Sequence, residues 1–289
     1  MNARFEADWE SLNQARLWQE LARLRALIEK KEPRPGHDTL RSPTAIDILV
    51  RKFGLSEFER DLLLLCAGVE FDEGFSEALR SIGAPSPCFG LALKALPGAH
   101  WSAIAPTGPL RFWRMIEVRP GDALTSAPLR IEERILHYLA GVPHLDERLQ
   151  GLVRPYRAAE PLSTAQYETA RRLAGLWSDA GARGKPWPAA QLVGPEDAGA
   201  VAVAAAACAA RDLGLCVMRG ADLPLAASDR AAFQRLWERE AALGESGLIV
   251  LIEDADGPET LRAAAAFAEH ARSAVIFACR EPLRVSGRP

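Results

Sequence analysis

Gly194 and Gly199 are separated by four residues in the run Gln191-Leu-Val-Gly-Pro-Glu-Asp-Ala-Gly-Ala-Val201. That is the glycine interval of a phosphate-binding loop joining a strand to a helix. Such a loop works through backbone N–H groups that cradle phosphates, a lysine that neutralises the β/γ charge, and a hydroxyl that holds magnesium. Here Ala200 stands where the lysine belongs and Val201 where the Ser or Thr belongs. Glu196 and Asp197 add two carboxylates inside the loop, where a helix N-terminus would otherwise favour an anion. The spacing predicts a cradle without its cation, in a nucleotide-binding fold that no longer uses the nucleotide at this site.

A second group stands at the end of the apolar run Leu248-Ile-Val-Leu-Ile252, which leads directly into Glu253-Asp254. An acidic pair there can orient a magnesium shell and activate water. The order that chemistry expects, Asp then Glu, is reversed, and the pair alone reads more readily as a turn or cap. Cys279 and Arg280 close the next apolar run, where a sensor Asn or Thr would face a γ-phosphate. The vestigial nucleotide site is thus Gly194, Gly199, Ala200, Val201, Glu253 and Asp254, with no catalytic residue, no metal ligand and no cofactor assigned to this chain. An ATPase acting through other residues would need a cation near the loop, and no lysine follows Lys185. The histidines and cysteines show no metal-site spacing.

The elements that position these residues follow from periodicity. Apolar runs at 190–193, 215–218, 248–252 and 274–278 alternate with helical stretches at 200–213, 228–243 and 258–270, which predicts a parallel α/β sheet of four strands. Ser163-x-x-Gln166 caps a preceding helix carrying Tyr167, Ala170, Ala174 and Trp177 on one face. The segment Arg154-Pro-Tyr-Arg-Ala-Ala-Glu-Pro161 reads as a linker, bounded by prolines.

Upstream, residues 3–31 hold no Pro or Gly and place Phe5, Trp9 and Leu12, then Leu17, Leu21, Leu24 and Ile28, at helical steps. The stripe slips by one residue after Leu12, which favours a helix docked on a domain over a long coiled coil. From Pro43 to Leu152 come short helices, including one capped by Ser56-x-x-Glu59 and one over Phe89–Leu96, then a hairpin over Met115–Val118 and Leu124–Ile131, then a helix over Glu132–Leu139. Helices followed by a β-ribbon describe a winged helix.

Winged helices often bind DNA, yet the recognition-helix candidate Cys88–Leu96 offers only Lys94 for a phosphate or base. Arg111, Arg114, Arg119 and Arg130 surround the wing, but Glu117 and Asp122 lie among them. A net charge of −3 and a pI near 6.0 give no general attraction to nucleic acid. Protein partners are the expectation, with DNA binding as the alternative. Five cysteines without a C-x-x-C pair suit a reducing compartment. With no signal-peptide pattern at the start and no apolar stretch long enough for a bilayer, a cytoplasmic protein without membrane contact is expected.

Phe53-Gly-Leu-Ser-Glu-Phe-Glu-Arg-Asp-Leu-Leu-Leu-Leu65, Pro97-Gly-Ala-His-Trp-Ser102 and Pro128-Leu-Arg-Ile-Glu-Glu-Arg-Ile-Leu-His-Tyr-Leu-Ala-Gly-Val142 resemble the N-terminal winged-helix region of AAA+ ATPases encoded with phage-tail-like contractile injection systems. Leu236-Trp-Glu-Arg-Glu-Ala-Ala-Leu243 before a strand is similar to the first, degenerate ATPase module of those proteins. The resemblance covers nearly the whole chain. It implies an α/β fold with an α+β N-terminal domain, that is, a winged helix followed by a partial parallel-sheet P-loop (AAA+-like) module. It divides the chain into an N-terminal amphipathic helix (1–35), a winged-helix domain (36–153) and a partial, degenerate ATPase-like domain (162–289). It further implies ATP and magnesium in a later module beyond Pro289, ring assembly with other copies, and injection-system components as partners.

Overall fold

Thr44 and Ser56 each open a helix through a reciprocal capping box, with Asp47 and Glu59 returning a bond to the cap backbone. These two starts set the register of the N-terminal unit. The computed structural model describes residues 3–31, 42–120, 123–157, 161–194 and 197–284, the side chains of 3–8 and 197–198 excepted. It divides into two units, Met1–His144 and Leu145–Pro289.

The first unit comprises α1 (Ala3–Ile28), α2 (Ala45–Phe53), α3 (Glu57–Phe71), α4 (Glu73–Ser81), α5 (Phe89–Ala95), α6 (Pro109–Phe112), β1 (Ile116–Val118), β2 (Leu129–Ile131) and α7 (Glu133–Leu139). The central helix is α3, whose residues from Leu62 to Gly68 are all buried. α2 stops at Gly54, whose φ of 66° is the left-handed conformation glycine adopts without strain.

α1 docks on its own chain, against α3 and α4. Leu17, Leu21, Leu24 and Ile28 are buried, while Leu12, before the slip, is exposed. The buried position there is Asn13, whose amide donates to Leu139 O at 2.8 Å and whose carbonyl accepts from Ala45 N at 2.8 Å. One polar side chain therefore ties α1 to the end of α7 and the start of α2. Further along, Arg23 donates to the buried Asp61 of α3 at 2.6 Å, with Glu20 on its other side.

β1 and β2 pair antiparallel, Ile116 opposite Ile131 and Val118 opposite Leu129. The second strand of this ribbon is shorter than the expected 124–131, because Ala123 O accepts the N–H groups of Ser126 and Ala127 and folds that stretch into a turn. α4 was not legible in the periodicity. Gly121 and Asp122 of the expected turn, and Pro33–Gly36 at the expected end of the first helix, lie outside the described residues.

The second unit holds β3 (Val153–Tyr156), α8 (Thr164–Ala182), β4 (Ala190–Val193), α9 (Asp197–Ala209), β5 (Gly214–Arg219), α10 (Ala227–Gly244), β6 (Ser246–Leu251), α11 (Pro258–His270) and β7 (Val275–Cys279). The sheet has five strands in the order β3-β5-β6-β7-β4. The four expected strands are present and mutually parallel. The sheet is nonetheless mixed, since β3 runs antiparallel to β5 with Val153 opposite Met218 and Tyr156 opposite Leu215.

The expected linker thus begins inside the sheet. Pro155 is accommodated because β3 is an edge strand, where a missing N–H costs no ladder bond. Alternate residues of the inner strands feed two apolar layers. Met218, Val250 and Phe277 join Phe233, Trp237 and Phe267 of α10 and α11. Leu215, Ile249 and Ile276 join Leu173 and Trp177 of α8 and Ala204 and Ala207 of α9. An alanine-rich α9 suits its position, because small side chains let α8 and the sheet approach it closely.

Among the described residues, no helix is long and apolar enough to cross a membrane.

Candidate functional site

The strand order brings the two candidate groups to one end of the sheet. β4 ends at Val193 beside Cys279 of β7, and Gly194 N donates to Cys279 O at 3.1 Å. β6 is the other neighbour of β7, with Leu251 beside Ala278, so Glu253 and Asp254 emerge on its far side. Every sequence-predicted site residue therefore lies at the C-terminal edge of the parallel strands or in the helix that follows. This is where open α/β sheets bind ligands.

The local geometry departs from a phosphate loop. α9 starts at Asp197, so only Gly194, Pro195 and Glu196 separate it from β4. Gly199 lies inside the first turn of α9 rather than in a loop, while Ala200 and Val201 are helical as expected. A cradle needs several consecutive loop N–H groups turned toward one anion, and residues 197–199 of the expected 194–199 loop are helix instead. Pro195, Glu196 and the side chain of Asp197 lie outside the described residues.

Val201 is 8 % exposed and packs in the apolar layer with Ala170, Leu173 and Trp177. Its position faces the core, so it directs no ligand toward a metal. Gly199 approaches α8 closely, since a Cβ there would stand 3.1 Å from Gln166 Nε2. A cavity of about 430 Å³ remains beside this segment, bounded by Gln166, Thr169, Gly194, Gly199, Ala200 and Cys279. Among the described residues, no lysine or arginine lines it.

The carboxylates belong to a different cavity, of about 800 Å³, lined by Glu253, Asp254, Asp256, Arg262 and Arg280 among others. Glu253 and Asp254 form a turn in which Glu253 N donates to Asp256 Oδ2 at 2.8 Å and Asp256 N to Glu253 O at 3.0 Å. Arg280 then binds Asp254 at 2.7 Å, and Arg219 stands 3.7 Å from Glu253. Cys279 borders both cavities, with its thiol buried and its pKa raised by that burial, against a hydrogen bond from Leu283 N. The backbone of Leu283 is clasped on both sides by the amide of Gln191, at 2.9 and 3.0 Å.

The two halves of the candidate site thus flank β7, one without a cation and the other with its carboxylates engaged by arginines. These residues do not fit a magnesium nucleotide. Arg219 was the component that sequence reasoning missed, since nothing in its spacing relates it to Glu253.

On the winged-helix unit, α5 exposes Lys94 while Phe89 and Ala92 are buried. The arginines around the ribbon are partly committed to the chain itself. Arg111 donates to Ile104 O at 3.0 Å, and Arg130 lies 3.6 Å from Glu70.

A family model described as "Winged helix domain, variant" matches residues 6–153. No curated protein matches the chain.

Proposed function

Because the chain belongs to the family described as winged helix domain, variant, we propose that its N-terminal unit is a protein-binding module carried by a nucleotide-fold remnant that does not hydrolyse ATP. In this reading the chain is the regulatory or oligomerising front of an AAA+ ATPase of the contractile injection-system type, acting in the cytoplasm. ATP and magnesium would serve a separate module. Injection-system components and other copies of the chain would be the partners.

The observation that carries the reading is the state of the sheet end. The strand order supports descent from a P-loop fold, since the glycine segment and the acidic turn leave strands on either side of β7. Against present use of a nucleotide stand Ala200 and the core-facing Val201 on one side and the Arg280–Asp254 ion pair on the other. Electrostatic preorganisation is what phosphoryl transfer requires of a protein, and here the charges cancel internally.

Calorimetric titration of the chain with ATP, with and without magnesium, tests this. The expected result is no saturable magnesium-dependent heat and no phosphate release. Micromolar magnesium-dependent binding would overturn it. A salt-dependent shift of a duplex oligonucleotide would favour DNA recognition by the winged helix instead.

A further inference from the structure

A groove of about 1110 Å³ runs along α5 in the N-terminal unit, between the end of α1 and the segment that follows α4. Its apolar surface includes Leu27, Leu91 and Leu93, all partly exposed, and Ile82, which is 45 % exposed. Among the described residues the charged groups that line it are Lys30 and Lys94, both exposed. Among the described residues no carboxylate lines it, although acidic residues outnumber basic ones in the chain, 38 to 35. Among the described residues neither lysine is ion-paired, whereas neighbouring Glu29 is engaged by Arg25 and Lys31.

Leucines and an isoleucine that give up apolar area, with two ammonium groups at the margin, are complementary to one kind of ligand. We propose that this groove docks a short amphipathic helical segment of a partner protein, with an apolar stripe laid on Leu91, Leu93 and Ile82 and flanking carboxylates reaching Lys30 and Lys94. The stripe supplies affinity by removing apolar surface from water, and the carboxylates select partner and orientation. Two amines without arginine forks or stacking aromatics are poor material for tracking a phosphate backbone. The proposal rests on the protein-binding reading of the N-terminal unit alone, so the nucleotide titration does not bear on it.

Fluorescence polarisation with the full chain tests the groove. The probes are a labelled helical peptide with leucines at i, i+3, i+4 and i+7 and glutamates between them, and its isomer with lysines for glutamates. The acidic peptide should bind saturably and the basic isomer should not. Lys30→Glu with Lys94→Glu should weaken the acidic peptide by about tenfold or more and admit the basic one. Ile82→Glu, at an exposed position, should abolish binding of the acidic peptide. Alkylation of Cys88, which lines the groove, should slow when the acidic peptide is bound.

Equal binding of the two isomers, no saturable binding of the acidic one, or indifference to the double reversal would each overturn the proposal. Duplex DNA retained through the same two lysines, without peptide binding, would overturn it in favour of nucleic acid. Self-association lost in Ile82→Glu, again without peptide binding, would assign the groove to a second copy and equally overturn it.

Discussion

Asp146 accepts a hydrogen bond from the guanidinium of Arg239, and both residues are withdrawn from water, at 1 % and 0 % exposure. The carboxylate also receives Arg148 Nη2 at 2.6 Å, Arg148 Nε at 2.9 Å and Arg148 N at 2.8 Å. Arg239 sits in α10, and Asp146 caps the short turn that leads into β3. A charge pair in a dry interior therefore fastens the edge strand's approach to a core helix.

Removing one member of such a pair leaves the other charge buried. Asp146→Ala should cost about 3 kcal/mol or more, read as a drop in the urea midpoint. Burial alone would raise the Asp146 carboxyl, but hydrogen bonds from Arg148 and the charge of Arg239 bring it below the ordinary value. Its contribution is thus fully present above the ordinary carboxylate pKa and is lost as pH falls through the lowered folded value. The wild type should lose stability in acid over that window, and Asp146→Ala should lose less. Replacing the pair together, as Asp146→Leu with Arg239→Met, should recover part of the loss: the guanidinium left by Asp146 is gone, but the buried Glu240, 3.4 Å from Arg239, loses that cation. A double variant as unstable as Asp146→Ala would refute this account.

Asn13 has a comparable role in the N-terminal unit, with neutral groups. Asn13→Ala deprives the buried Ala45 N–H and Leu139 C=O of their partner and should cost about 2 kcal/mol. Asn13→Asp keeps an acceptor for Ala45 N but turns a second oxygen toward Leu139 O. It should therefore be at least as damaging near neutral pH and less so in acid. Thermal melts at two pH values distinguish this from simple loss of packing, which would be the same at both.

Whether a feature was legible in the sequence depended on how local its cause is. Capping at Ser56 and Ser163 involves residues three apart, so the helices they open are legible in the sequence. The four parallel strands were legible because burial on both faces makes them continuous apolar runs. β3 was not, since Val153-Arg-Pro-Tyr156 is an edge strand whose pattern is exposed at Arg154 and Pro155, and its pairing with β5 lies some sixty residues away in the chain. Asn13 was hidden for the same reason, as its partners at Ala45 and Leu139 are remote. The glycine spacing was legible, but the start of α9 was not, because Gly199 gave no sign that the helix would begin before it.

That difference gives the candidate site a specific test. Ala200 borders the smaller cavity while Val201 faces the core. Ala200→Lys should introduce a weak affinity for ATP by supplying the missing cation. Adding Val201→Thr should change nothing further, because a hydroxyl at that position cannot reach a metal. Neither variant should hydrolyse ATP while Arg280 holds Asp254. Calorimetry with and without magnesium reads the outcome. A magnesium-dependent gain from Val201→Thr would mean that the phosphate-loop geometry is retained after all.

The last test concerns where the second unit begins. Leu149 and Val153 are buried at 0 % and 2 %, in the apolar layer that also contains Phe233, Trp237 and Phe277. Burying a side chain of that type is worth about 2 kcal/mol, and Asp146 adds the partner of Arg239. A fragment starting at Leu145 should therefore fold cooperatively. One starting at Arg154 lacks Asp146, Leu149 and Val153, leaves the buried Arg239 without the Asp146 carboxylate and with Glu240 at 3.4 Å, and opens the edge of β5, an invitation to intermolecular pairing. It should melt far lower, or aggregate at concentrations where the longer fragment stays monomeric. Equal melting temperatures for the two fragments would show that the antiparallel strand and its ion pair are ornaments on a four-stranded core.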